Sequence, residues 1–456
     1  MKAYLRVESR LAILAIAVFG MAAVLFVPPA ITFDGPSHAF RALQVSRGEW
    51  RAERYSSVAV GGILPKSHVD FVNTLWNSYW VGHDFGTLAS WSSLSRKCAQ
   101  TPGTARVEFT NTAVYGPVNY ALQALGMRLA ALFTASPLAA QRLGCLFNLA
   151  GYLAAIVAAL ELLPRYHRGF LLVATCPLIV VQAASLSADA VNVSLPLLLL
   201  AWAWHLRAAR HPAGRQLAGL FLLGLTVTLL KPTAVATLVC VGFVPASCFG
   251  SSKAKAASLA VFLLSAAALW YGWNRANLDV NVAGWFEAGH PPPSVQKAWF
   301  LGNPLRFIAP FRYFLVHDLA VQWSPLYGDV GGWIPPGIHS FLAGLSLLFL
   351  AGILGCGPGR DTTDGVWACA NVIQATFLVT FTGLTLWLTF GTPGMDHIPA
   401  FSGRYLLVAA ACLGIAASEV FHGGFRRTRQ ALFWLALGAN GAGLTAILVY
   451  IAFRGA

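Results

Sequence analysis

Long apolar runs alternate with short basic connectors along most of this chain. The runs fall at 11–31, 142–162, 169–185, 189–206, 216–230, 233–249, 256–272, 337–355, 367–390, 404–420 and 431–453. Most approach or exceed the roughly 18 residues at which a helix crosses a hydrocarbon core about 30 Å thick. They predict an all-α polytopic transmembrane helical bundle of about 11 spans, with residues 1–456 forming a single integral membrane domain. The first run lacks a small-x-small cleavage pattern at its end and reads as a retained span rather than a signal peptide. Two stretches, 32–141 and 273–336, interrupt the rhythm with Trp, Tyr, Pro and Gly. Both are too irregular to predict a separate soluble domain.

One further apolar segment, 115–133, decides the topology. If it does not cross, the connectors on one side carry Lys2, Arg6 and Arg10; Arg165 and Arg168; Arg207, Arg210 and Arg215; Lys253 and Lys255; Arg360; and Arg426, Arg427 and Arg429. The short connectors on the other side then hold only Lys231 and Arg404. The positive-inside rule favours this arrangement, and a crossing segment would violate it repeatedly. The reading is therefore an interfacial helix near 115–133, with Asn119, Gln123 and Arg128 as its polar positions. It places the N-terminus in the cytoplasm and both long loops, 32–141 and 273–336, on the outer face.

Composition agrees: 57% of residues are hydrophobic and 11% charged, against about 25% charged in soluble domains. The net charge of +14 does not indicate a nucleic-acid partner, because the basic residues sit in inter-span connectors. The eight cysteines are scattered, with no disulfide framework or CxxC pattern. No Walker A, HExxH or Gly-rich nucleotide fingerprint is present.

Only 17 residues are acidic, which draws attention to Asp34, just after the first span. Asp34, His38 and Arg41 stand at i, i+4 and i+7, so a helix begun near Pro36 would align them. Asp34 before Gly35-Pro36 also has the form of an N-cap with proline in the first turn, so capping and chemistry both remain open. Ser187-Ala188-Asp189, Lys231-Pro232 and Ser402-Gly403-Arg404-Tyr405 fall at further outward junctions. Ser187 and Asp189 could equally cap a span, and Arg404 could snorkel at a span's end. In the second long loop, Asp329 and Trp333 read as a turn and an interface anchor, or as part of a substrate groove.

The blocks Asp34-Gly35-Pro36-Ser37-His38-Ala39-Phe40-Arg41-Ala42, Gln44-Val45-Ser46-Arg47-Gly48, Tyr115-Gly116-Pro117-Val118-Asn119-Tyr120, Ser187-Ala188-Asp189, Lys231-Pro232, Tyr327-Gly328-Asp329-Val330-Gly331-Gly332-Trp333 and Ser402-Gly403-Arg404-Tyr405 follow one another in an order that resembles the DUF2142 family of bacterial membrane proteins. That family is in turn similar to the GT-C superfamily of membrane glycosyltransferases. The resemblance implies a GT-C-like fold and transfer of a sugar from a polyprenyl-phosphate donor to a cell-envelope acceptor, on the outer face of the bacterial inner membrane. It implies Asp34 as catalytic base, with His38 and Asp189 supporting it or positioning the acceptor. Arg404, Lys231 and Arg41 would bind the lipid phosphate. Tyr115, Asp329, Trp333 and Tyr405 would contribute to a substrate groove. The family usually has Asp-Glu where this chain has Asp34-Gly35, so one carboxylate stands alone there. A divalent cation is the one cofactor left open, and membrane lipid is an expected partner. The alternatives are a transporter or flippase for a lipid-linked saccharide and a non-catalytic component of envelope polysaccharide assembly.

Overall fold

The computed structural model describes residues 6–32, 34–56, 59–82, 84–163, 167–208, 214–280, 291, 293–323, 336–354, 365–420 and 426–454. Within them the chain is a helical bundle, and it is a multi-pass membrane protein. Seven helices are each long and apolar enough to cross a membrane: Val7–Phe26, Pro137–Leu162, Asp189–Ala208, Ser252–Ala276, Gly365–Phe390, Gly403–Val420 and Arg427–Ala452. Of the other four predicted runs, three fold as helix in shorter or broken pieces, and the fourth is a single helix of 19 residues. The expected count of about 11 is thus not matched by eleven full-length helices.

The breaks have local causes. The run 169–185 becomes His167–Ala174 and Pro177–Ala183, because Pro177 has no N–H to continue the ladder and its ring opposes the preceding turn. These pieces lie in the deepest part of the bundle, with Leu171, Leu172, Val173, Cys176, Leu178, Ile179 and Val180 all fully buried. The run 216–230 gives the helix Gly214–Thr228, which ends before Lys231-Pro232. After that proline the chain makes a short apolar helix, Pro232–Gly242. The fourth run gives Pro336–Leu354.

The stretch 32–141 is more ordered than the sequence indicated. It contains the helices Gly35–Ser46, Lys66–Gly82, Leu88–Ala99 and Ala121–Ala131. It also holds a small antiparallel sheet of 53–54, 60–65 and 104–108 in that order, with Gly61 opposite Glu108 and Leu64 opposite Ala105. The strands are short, and Val60-Gly61-Gly62 lacks the alternation that marks a half-buried strand. Leu88–Ala99 opens on a capping box, Thr87 accepting from Ser90 N–H while Ser90 Oγ accepts from Thr87 N–H.

Within the contested segment the regular α-helix covers 11 residues, Ala121–Ala131, and so extends about 16 Å, roughly half a hydrocarbon core. It lies against Pro137–Leu162, and its close approach depends on Gly126, where a Cβ would come within 3.0 Å of the Leu143 carbonyl oxygen. Gly35 is similarly confined: a Cβ there would overlap the carbonyl of Ala30. Gly126→Leu and Gly35→Ala are each expected to destabilise the protein by about 1–3 kcal/mol, as overpacking against backbone does. Thermal unfolding of the detergent-solubilised variants checks this, with an unchanged midpoint counting against either close approach.

Candidate active site

Asp34 sits between the first span helix and the helix Gly35–Ser46 with φ 54° and ψ 22°, a left-handed conformation that aspartate tolerates better than most residues. Its backbone carbonyl accepts from His38 N–H at 2.9 Å and so starts the helix. Its side chain makes no capping bond. Instead Oδ1 accepts from Asn111 Nδ2 at 2.7 Å, and Oδ2 lies 3.8 Å from Arg404 Nη2. The Asp34 side chain is 43% exposed, whereas that of Arg404 is 10% exposed.

Arg404 belongs to the 3-10 turn Gly403–Leu406 that leads into the helix Leu407–Val420. Its Nε stands 3.1 Å from Asp189 Oδ2, and its guanidinium lies over the Tyr405 ring at 5.4 Å. Asp189 opens the helix Asp189–Ala208 after the tight Ser185–Ala188 turn, where Ser187 Oγ accepts from Asp189 N–H at 3.1 Å. The second Asp189 oxygen, Oδ1, accepts from Lys231 Nζ at 2.5 Å. Both side chains of that pair are 5% exposed. Lys231 is fixed in turn by its backbone N–H, which donates to Asn192 Oδ1 at 2.9 Å, and its ammonium lies 4.8 Å from the centre of the Tyr115 ring.

Four formal charges, Asp34 and Asp189 against Lys231 and Arg404, therefore cancel within one connected group. His38 stands beside it with Nδ1 2.8 Å from Tyr120 Oη. Burial, then the nearby Lys231 charge, pushes the imidazole pKa down to about 4, which keeps it neutral at physiological pH. Burial likewise raises the Tyr115 phenol to about 12. Asp189, Asn192, Lys231, Thr237, Arg404 and Tyr405 line a narrow cleft whose walls continue into Val193, Pro196, Leu378 and Val408. It is thus charged where Asp189 and Lys231 meet and apolar along much of the remaining wall.

Asp34, His38, Asp189, Lys231, Arg404, Tyr115 and Tyr405 come together as neighbours. Arg41 does not join them. Its fully buried guanidinium donates to Gln44 Oε1 at 2.5 Å and to the carbonyls of Trp50 and Tyr115 at 2.8 and 3.0 Å, which commits it to holding the loop rather than meeting a phosphate. Asp329 and Trp333 lie outside the described residues. Sequence reading overlooked Asn111 and Asn192. Asn192 follows Asp189 by three positions on one helix face, a spacing that could have flagged it. Asn111 carried no such signal.

The donor set does not suit a divalent cation. Among the described residues no three of His, Cys, Asp or Glu gather as a metal site, and the Asp189 carboxylate already faces two cations.

The family model for "Predicted membrane protein (DUF2142)" matches residues 17–413. The chain belongs to the DUF2142 family. No curated protein matches it. Among solved structures it is similar to the crystal structure of ArnT from Cupriavidus metallidurans in the apo state, at 14% identity and a TM-score of 0.33 over 90% of this chain and 77% of that one. The matched DUF2142 region contains the whole Asp34–Asp189–Lys231–Arg404 group.

Removing one partner of the buried pair leaves an uncompensated charge, so Asp189→Asn is expected to cost about 3–5 kcal/mol, and Asp189→Leu with Lys231→Met should recover most of it. Unfolding of the two variants in detergent checks this, and equal stability of single and double variants would contradict it. His38 adds a pH dependence of definite sign. Its folded pKa of about 4 lies below the ordinary 6.5, so its contribution is complete above about pH 6.5 and is lost as pH falls towards 4. His68, also lowered to about 4 by burial, acts in the same direction. His38→Gln is therefore expected to reduce the acid sensitivity of unfolding between pH 6.5 and 4 without abolishing it.

Proposed function

We propose that this DUF2142 protein is a GT-C-like glycosyltransferase that moves a sugar from a polyprenyl-phosphate donor to a cell-envelope acceptor. The arrangement of basic connectors supports a cytoplasmic N-terminus and a site at the outer face of the bacterial inner membrane. The observation that carries the reading is Asp34: a partly exposed carboxylate, not used as a helix cap, touching a buried arginine that is shared with a second acid.

In this reading Asp34 Oδ2 takes the proton of the acceptor hydroxyl as that oxygen attacks the anomeric carbon. The carbon–oxygen bond to the lipid phosphate breaks at the same carbon, and configuration inverts. The bonding electrons leave with the phosphate, whose growing charge is met by Arg404 and Lys231. Guanidinium geometry suits two phosphate oxygens at once, which makes Arg404 the principal partner. Asp189 holds both cations at one place before the phosphate arrives, and neutral His38 keeps an additional positive charge away from Asp34. Asn111 orients the Asp34 carboxylate through its second oxygen. Tyr115 and Tyr405 flank the cations and offer aromatic faces on which a sugar ring can stack.

Asp34→Asn is expected to lower transfer at least about 100-fold, the usual scale for losing a general base, while leaving protein level and unfolding midpoint close to wild type. Arg404→Lys should lower it about tenfold or more, because a point charge replaces a planar fork. Envelope glycan composition in the native host, measured alongside protein level, checks both. An unchanged glycan in the Asp34→Asn strain would remove Asp34 as the base and favour a flippase or a non-catalytic assembly component.

A further inference from the structure

A groove runs between the first and last span helices, Val7–Phe26 and Arg427–Ala452, and holds a cavity of about 190 Å³. Its floor is Ala12, Ile16 and Leu444, all buried, and its rim is Leu11, Ala15, Leu437 and Gly441, all at least partly exposed. It therefore opens sideways from the bundle, beside the exposed Leu14 and Val18 of the first span. The groove begins one turn into that span, at the end away from Asp34.

Among the described residues nothing fills this space. Small residues between spans normally let the helix backbones close up. Here they leave a gap: a Cβ added at Gly441 would meet no atom within 4 Å. Thr175 brings a hydroxyl to the wall, and it is already satisfied, with Oγ1 donating to the Leu171 carbonyl at 2.7 Å and accepting from Asn440 Nδ2 at 2.8 Å. Water needs roughly two to four polar partners, so an apolar cavity of this kind stays dry, and one of about 150 Å³ takes up a benzene ring. A hydrocarbon matches these walls, and the bilayer around a multi-pass protein supplies it at the opening.

Charge selects among the hydrocarbons. At the end away from Asp34 the two helices are headed by Arg6 and Arg10 and by Arg427 and Arg429. Arg168 joins them, its guanidinium 5.1 Å from the centre of the Phe433 ring. The acid beside them, Glu8, is engaged by His167 Nε2 at 3.3 Å and by Arg168 Nη2 at 3.6 Å. Arg6, Arg10 and Arg427 are exposed. Basic clusters immediately beside a span attract anionic headgroups.

We propose that the groove holds one acyl chain of an anionic phospholipid from the leaflet opposite Asp34, with the headgroup among these arginines. The inference does not rest on the glycosyltransferase reading, and the groove shares no lining residue with the Asp189–Arg404 cleft.

Photo-crosslinking of the full-length protein in phosphatidylcholine nanodiscs tests it. The probe is phosphatidylglycerol carrying a diazirine midway along one acyl chain, with adducts mapped by mass spectrometry. Adducts are expected to concentrate in 11–19 and 437–444, above the level on Ser252–Ala276, a mostly exposed span that reports bulk lipid. A phosphatidylcholine probe with the same chain should label the groove more weakly. Gly441→Phe fills the groove from a position where its Cβ meets no neighbour, and should cut the groove adducts about tenfold or more while leaving those on Ser252–Ala276 unchanged. Ala15→Leu narrows the groove from the facing helix and serves if Gly441→Phe does not fold. Labelling no higher than on Ser252–Ala276, or unchanged in whichever filled variant folds, overturns the proposal. Equal labelling by the two probes overturns the anionic headgroup.

Discussion

The Asp189 carboxylate is the constraint around which the rest of the site is arranged. It is almost wholly removed from water, and a buried charge is tolerable only when opposite charge and hydrogen bonds replace its hydration. Two cations do so from different parts of the chain, Lys231 before the short helix Pro232–Gly242 and Arg404 ahead of Leu407–Val420. Meeting one carboxylate therefore fixes the relative placement of three chain segments. Through Arg404 the same requirement reaches Asp34 and the end of the first span. Asparagines reinforce it: Asn192 holds the Lys231 backbone and donates to Asn119 Oδ1 at 3.0 Å, while Asn119 donates to the Leu229 carbonyl at 3.3 Å.

Electrostatic closure gives the cleft its character. The four charges sum to zero, and His38 stays neutral beside them, so the empty cleft carries no large unbalanced charge in a low-dielectric setting. A phosphate entering it would compete with Asp34 and Asp189 for Arg404 and Lys231. The same group can then be stable without ligand and still present cations to an anion, provided the exchange of partners is close to balanced. Asp34, the more exposed of the two acids, is the one able to give up its arginine at little cost in hydration.

Much of this was legible in the sequence. Apolar run length identified the bundle. The junction residues Asp34, Asp189, Lys231 and Arg404 were recognisable because charge at a span's end has few uses. What escaped has physical reasons. Run length cannot show where proline divides a helix, as at Pro177, because the divided pieces remain equally apolar. The short sheet carries no alternation to read. Arg41 was grouped with the other cations because residue type and helical spacing do not reveal that Trp50 and Tyr115 turn their carbonyls towards it.

The contact between Gly35 and Ala30 also limits what can be built here by design. With no room for a Cβ beside the Ala30 carbonyl, a second carboxylate cannot be placed directly after Asp34 while this backbone is kept. The turn would have to be rebuilt together with the residue. Engineering a paired-acid site at this junction therefore begins with the loop and not with the side chain.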